Sequence, residues 1–296
     1  MKIFNTEETH STLYYTDSKD IETLIKPRDV HAHKGNFGRA LLVAGSKGMA
    51  GASILAARAA LRSGTGLLTV HVPSCNNPIV QTAVPEAMTS IDSNDCCFSD
   101  NIDISKYTAV AIGPGIGQRP ESVAALHNLI RNCAVPLVLD ADALNILSQD
   151  SSRLSLLPAG SILTPHEGEF ERLFGKYPDR HHAIEAARRI ARDYNIVILL
   201  KGAHTAIIAP DDNLYFNNTG NPGMATGGSG DVLTGIILAL IAQGHKSVDA
   251  ARIAAYVHGL AGDIAAAETG ETALVAGDIV SSLPKAWKQL ERGGRQ

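Results

Sequence analysis

The chain has 296 residues, of which 45% are hydrophobic and 19% charged, too apolar a balance for disorder and enough for one large domain or two small ones. Its formal net charge of −4 argues against a nucleic-acid surface, which ordinarily needs a basic face. Aromatic residues are only 5% while glycine and alanine abound, which suits helices packed closely on a sheet better than an aromatic-rich β-sandwich.

Short apolar runs alternate with longer segments of helical period. Ala40–Gly45 reads as a buried strand, Ala52–Arg62 as an alanine-rich helix stopped at Gly64, and Leu67–Val72 as the next strand. Ala109–Gly113, Leu137–Asp140 and Ser161–Leu163 continue the strands, with helices over Glu121–Arg131, Ala143–Leu147 and Glu167–Leu173. Strands alternating with helices imply a parallel sheet covered on both faces. After the strand Ile196–Lys201 the pattern changes. Thr205–Ile208 and Asn213–Phe216 flank Pro210-Asp211-Asp212 as an antiparallel hairpin, and helices over Asp231–Ala242, Val248–Ala267 and Gly277–Gln289 close the chain. No linker or internal repeat interrupts it, so a single domain over 31–296 is expected, preceded by an N-terminal segment, 1–30, of unassigned role.

The cysteines, Cys75, Cys96, Cys97 and Cys133, have neither zinc-site spacing nor a disulfide framework. Met1–Asp20 is polar and lacks a signal-peptide core. The longest apolar runs, such as Val232–Ala242, fall short of the roughly 20 residues of a membrane span. A cytoplasmic protein with neither membrane nor nucleic-acid partners is expected.

In an open parallel sheet, ligands bind beyond the carboxyl ends of the strands. Gly45-Ser46, Gly113–Gly117, Asp140–Asp142, Thr164–Glu169 and Lys201–Thr205 all fall there. The densest signal follows the hairpin: Asn217-Asn218-Thr219-Gly220-Asn221-Pro222-Gly223-Met224-Ala225-Thr226-Gly227-Gly228-Ser229-Gly230-Asp231. Glycines leave backbone N–H groups uncovered, and the apolar run that follows reads as a buried helix, so an anion hole forms at Gly227, Gly228, Ser229 and Gly230. Asp231 is the one charge in this stretch. It reads either as a helix cap or as a base beside the hole, removing a proton from an attacking hydroxyl. A cap alone needs neither three glycines nor the Asn-Thr-Gly-Asn run. The loop is no Walker A motif: Gly175-Lys176 is followed by Tyr177 and lacks the upstream glycine.

Other strand-end residues also have two readings. Thr164-Pro165-His166-Glu167 has the form of a capping box with Thr164 as cap, which leaves His166 free to meet a ligand. Asp142 reads as a helix cap or, with Asp140, as a magnesium or phosphate group. Lys201 reads as a snorkelling lysine or a phosphate contact. His258, in an alanine-rich helix, reads as packed.

Together these residues resemble the ADP/ATP-dependent NAD(P)H-hydrate dehydratases of the ribokinase-like superfamily. The resemblance runs in order through Lys34-Gly35-Asn36-Phe37-Gly38, Gly113-Pro114-Gly115, Leu139–Asn145, Leu163–Phe170, Leu200-Lys201-Gly202-Ala203-His204-Thr205 and Asn218–Asp231, spanning about Lys34–Trp287. It implies a three-layer α/β sandwich with a mostly parallel central sheet. The implied activity repairs the S-epimer of hydrated NADH or NADPH: a hydroxyl is phosphorylated from ADP or ATP with Mg2+, and phosphate is then eliminated.

By the same resemblance the hydrate meets Ala40, Gly115, His166 and Asp231, with Asp231 as base. The nucleotide meets Lys201, Gly202, Ala203, His204, Thr205 and Gly230. Glu169 reaches the magnesium through water, since His166-x-x-Glu169 stands where related kinases have Asn-x-x-Glu. The resemblance also implies a homo-oligomer, often a tetramer, working with a separate NAD(P)H-hydrate epimerase. The alternatives are a vitamin-precursor kinase of the same fold and a non-catalytic nucleotide-binding module.

Overall fold

In the computed structural model, residues 13–293 are described. Ten strands form one sheet in the order β1-β10-β9-β8-β7-β6-β5-β2-β3-β4. They are β1 (Leu13–Tyr15), β2 (Arg39–Val43), β3 (Leu67–Val72), β4 (Met88–Ile91), β5 (Ala109–Ile112), β6 (Leu137–Leu139), β7 (Ile162–Leu163), β8 (Val197–Leu200), β9 (Ala206–Ile208) and β10 (Leu214–Phe216). From β8 to β4 all neighbours are parallel; β9 runs antiparallel to β8 and to β10, as the expected hairpin requires. Alternate strand residues serve opposite faces. Ala40 and Leu42 join one core with Ala56, Ile236 and Ile253, while Leu41 and Val43 join another with Ile112, Leu126 and Phe170. Helices therefore cover both faces: α2 (Ala50–Arg62), α8 (Ser229–Ala242), α9 (Ser247–Thr269) and α10 (Ala276–Gly293) on the first, and α4 (Pro120–Asn132), α5 (Asp142–Leu147), α6 (Glu167–Phe174) and α7 (Arg180–Tyr194) on the second.

Helix α8 is buried on every side from Val232 to Ala242, a stretch that is apolar apart from Thr234. It presses on α2 so closely that a Cβ at Gly235 would lie 2.1 Å from the Ala56 carbonyl oxygen.

The sequence reading found neither α1 (Ser18–Leu24), β1, α3 (Asn77–Ala83) and β4 nor the whole of α7. Helix α7 is capped by Asp179, which accepts from the His182 N–H at 2.9 Å, and ends at Asn195 with a left-handed φ of 52°. Residue 30 falls in the stretch between α1 and the turn at Lys34–Phe37. Leu13–Tyr15 pairs parallel to β10, and Ile21 of α1 is wholly enclosed in the first core. Residues 1–12 of the proposed N-terminal segment lie outside the described residues. Among the described residues, no helix is long and apolar enough to cross a membrane. All four cysteines are free thiols.

Strand order reverses between β2 and β5, the position where the loops of an open α/β sheet diverge at the carboxyl edge. There the Gly45 N–H donates to the Pro114 carbonyl at 2.7 Å, fixing one loop on the other.

Candidate active site at the head of helix α8

Gly228 adopts a left-handed φ of 89° and turns the chain into α8, which starts at Ser229, two residues before the expected start at Asp231. Asp231 is thus inside the first turn. The Ser229 N–H donates weakly to the Thr226 carbonyl at 3.3 Å, whereas those of Gly227, Gly228, Gly230 and Asp231 find no backbone acceptor among the described residues. Such free N–H groups and the helix dipole favour an anion.

The Asn217–Asn221 run before the glycines has another duty. Asn217 is buried and donates to the carbonyls of Thr219 and Ala255, while Thr219 donates to that of Tyr256. Asp263 accepts from the Gly220 N–H at 3.0 Å and the Asn221 amide at 2.9 Å. These residues tie the loop to α9, so its conformation is set before any ligand arrives.

Beside the helix start is a charged cluster drawn from distant strand ends. Asp140, just past β6 and 1% exposed, accepts from Lys201 Nζ at 2.8 Å and from Thr234 Oγ1 at 2.6 Å. Burial alone would raise the Asp140 carboxyl, but the Lys201 charge and these hydrogen bonds outweigh it and hold it below its usual value. For Lys201 burial works against the charge, yet Asp140 and Glu169 overcome it and the ammonium is held above its ordinary pKa. Glu169 Oε2 lies 3.6 Å from the ammonium. Among the described residues Asp231 has no such hydrogen-bonding partner. Burial, and then the Asp140 charge, push its carboxyl from 3.8 to about 7, although Lys201 pulls the other way.

A cavity of about 710 Å³ opens beside the cluster, lined by Lys201, Gly202, Ala203, Thr205, Ser229 and Gly230 among others. His204, Asp231, Gly227 and Gly228 stay out of its wall, Asp231 lying one residue beyond Gly230. His166 stands in the wall with its side chain 53% exposed. Gly115 is buried against Met49 and Ala52 at the strand-order reversal, with φ 64°.

Ala40, also expected around the hydrate, lies within the sheet. It pairs with Leu68 and Ala109 near the amino end of β2 and is wholly buried, so its side chain offers no ligand surface.

The cap of α6 also differs from expectation. His166, not Thr164, is the cap: its Nδ1 accepts from the N–H groups of Gly168 and Glu169, and Glu169 accepts in return from the His166 N–H at 2.9 Å. Thr164 instead donates to the Leu139 carbonyl from a buried position. Asp142 is not a cap; it accepts from the Gly117 N–H at 2.9 Å and holds the loop after β5.

His258, read as packed, lines the cavity and sits 3.2 Å through Nε2 from the Ser229 hydroxyl. Burial depresses its pKa to about 4, so the ring is neutral. Met224, Leu233 and Ala255 add an apolar wall that no sequence motif signals.

A helix start with free N–H groups, a buried carboxyl raised to about 7 and a cavity of about 710 Å³ lie together on a mostly parallel sheet of ribokinase-like fold. The ribokinase of Arabidopsis thaliana shares that fold at 13% identity, with a TM-score of 0.56 over 83% of this chain. Over residues 40–285 the chain matches the NAD(P)H-hydrate dehydratase family and belongs to it. It is 43% identical over 274 residues to a bifunctional NAD(P)H-hydrate repair enzyme of Moorella thermoacetica, covering 89% of this chain and 52% of that protein. It is 36% identical to the ADP-dependent (S)-NAD(P)H-hydrate dehydratase of Bacillus subtilis, covering 92% of this chain and 96% of that one. The chain thus spans about half the length of the bifunctional relatives and nearly all of the single-function one. A crystal structure of the Bacillus subtilis ADP/ATP-dependent enzyme, grown with ATP and Mg2+, superposes with a TM-score of 0.80 at 31% identity, covering 94% of this chain and 99% of that one.

Proposed function

We propose that this chain dehydrates the S-epimer of hydrated NADH or NADPH, using ADP, or ATP in its place, as phosphoryl donor. The observation that carries the reading is Asp231: a carboxyl with a pKa of about 7 beside the free N–H groups of the α8 head. Asp231 accepts the proton of the hydrate's hydroxyl as that oxygen forms a bond to the donor's terminal phosphorus. The bridging P–O bond of the donor breaks, leaving AMP from ADP or ADP from ATP. The N–H groups of Gly227, Gly228 and Gly230 hold the transferred phosphoryl, and Lys201 offsets its charge. The C–O bond of the phosphorylated hydrate then breaks, phosphate departs with the bonding electrons, and loss of a ring proton restores the dihydropyridine.

The nucleotide occupies the cavity along Lys201, Gly202, Ala203, Thr205 and Gly230, with His204 on the outer side of its loop. The hydrate lies towards Gly115 and His166, reaching Asp231 from the strand-order crevice.

Magnesium, when bound with the donor, neutralises its phosphate oxygens. The nearby carboxylates suit a water-mediated role only: Asp140 is held by Lys201 and Thr234, and Glu169 by the His166 N–H. Glu169 is the carboxylate proposed to reach it through water. The one cluster of His and Asp ligand atoms found among the described residues, His71, Asp92 and Asp100, is elsewhere, at the β3–β4 edge.

An epimerase that interconverts the hydrate's two epimers would feed this reaction and is the proposed functional partner. A homo-oligomer is the proposed assembly. The function is tested by adding hydrated NADH, ADP and Mg2+ and following the reduced-nicotinamide absorbance band. Its return with release of AMP and phosphate is expected; a stable phosphorylated product, or no turnover, would refute the dehydratase.

A further inference from the structure

Arg180, the first residue of α7, reaches back to both halves of the site. Its Nη1 donates to Glu167 Oε1 at 2.6 Å, and its Nη2 to the carbonyls of His204 at 3.0 Å and Leu200 at 3.4 Å. Glu167 opens α6 directly after His166, while Leu200 and His204 flank the Lys201-Gly202-Ala203 wall of the cavity.

Arg180 also explains Gly202. A Cβ there would lie 2.6 Å from Nη1 and 2.9 Å from Nη2 of Arg180, while the backbone of Gly202 needs no positive φ. The glycine makes room for the guanidinium. Apart from Arg180, the exposed 202–204 stretch is closed by the Thr205 hydroxyl on the Gly202 carbonyl at 3.1 Å, and its ends are held by the Lys201 N–H on the Pro165 carbonyl at 2.8 Å, Lys201 Nζ on Asp140 at 2.8 Å and the Asn217 N–H on the Thr205 carbonyl at 2.9 Å.

We propose that Arg180 is a positioning residue for the nucleotide: by bridging Glu167 to the Leu200 and His204 carbonyls, it orders the 201–205 loop before the nucleotide binds. This rests on the reading of the cavity as the nucleotide site. Arg180 touches no reacting atom. Its planar fork spans acceptors on two segments, which a lysine cannot do at once. Without it, ordering of the loop opposes binding.

The test is calorimetric titration of Mg2+-ADP into the wild type, Arg180→Ala, Arg180→Lys and Glu167→Gln, with thermal melting and steady-state kinetics on each. Arg180→Ala should weaken ADP binding about 10-fold. Its KM for the hydrate and its kcat at saturating ADP should stay within about 3-fold of wild type. Arg180→Lys should recover part of the affinity. Glu167→Gln, which removes the carboxylate that anchors the guanidinium and lies outside the cavity wall, should weaken ADP as well and keeps the idea testable if Arg180→Ala fails to fold. Wild-type ADP affinity in Arg180→Ala, or in Glu167→Gln where Arg180→Ala does not fold, overturns the proposal alone, with or without a fall in melting temperature. A wild type that binds no ADP overturns the reading of the cavity, and this proposal falls with it.

Discussion

Replacing Asp231 by asparagine should abolish turnover and yet stabilise the fold, and both effects follow from one carboxyl. The side chain is raised from 3.8 to about 7, chiefly by burial and then by the Asp140 charge. A raised carboxyl pKa means the folded state resists ionisation while the unfolded chain ionises freely. Wild-type stability therefore falls as pH climbs through the interval between the two values and levels off above about 7. Roughly 3 units at 1.36 kcal/mol each set an upper bound of about 4 kcal/mol. Asparagine, isosteric with the protonated acid, escapes this cost. Urea unfolding of Asp231→Asn should match wild type near pH 3 and exceed it at pH 8 by up to about 4 kcal/mol. The same variant should lose about 10²–10⁴-fold in kcat while still binding ADP. Wild-type kcat/KM should rise with pH through about 7, since the base acts only when ionised. Turnover in Asp231→Asn near the wild-type rate, or a pH 8 stability equal to wild type, would refute the argument.

Lys201→Met strands Asp140 as a buried, uncompensated charge and should cost about 3–5 kcal/mol at neutral pH by denaturant unfolding, whereas the double change with Asp140→Asn should recover much of that. Gly230→Ala should fold, because its Cβ would lie 3.4 Å from Lys201 Nζ and 3.7 Å from Asp140 Oδ2, but the methyl crowds the phosphoryl position, so kcat/KM should fall by at least about 10-fold in the absorbance assay. Gly235→Ala should lower the melting temperature sharply, since its methyl meets the Ala56 carbonyl oxygen at 2.1 Å and must force α2 and α8 apart; overpacking of this kind costs about 1–3 kcal/mol or more. Thr234→Val leaves one oxygen of Asp140 without its 2.6 Å donor and should cost about 1–3 kcal/mol by the same unfolding measurement.

Local pattern made much of the architecture legible. The core strands are apolar on both faces, so they read as buried runs, and the glycine-rich turn into an apolar helix announces an anion site by backbone chemistry alone. Legibility failed where the signal was weak or the partner remote. The helix α7 has only its Asp179 and Asn195 ends and a mixed charged face to mark it, and β1 and β4 are short edge strands. His166 mimicked a residue after a cap because Thr-Pro precedes it; only the fold shows that its own ring closes the box with Glu169.

The sequence by itself determined that strands and helices alternate, where the turns fall, and that Asp231 follows a glycine run at a helix head, because each depends on neighbours within a few residues. Tertiary structure alone decided the charge environment of that carboxyl. Lys201 meets Asp140 across 61 residues and Thr234 meets it across 94, and neither separation has any period a linear pattern can register. It also decided that Ala40 is sealed within the sheet, that His258 faces Ser229, and that Arg180 bridges the two loops. Burial, distance and shared solvent exclusion belong to the packed chain, and they set whether a carboxyl is a cap, an ion-pair partner or a base.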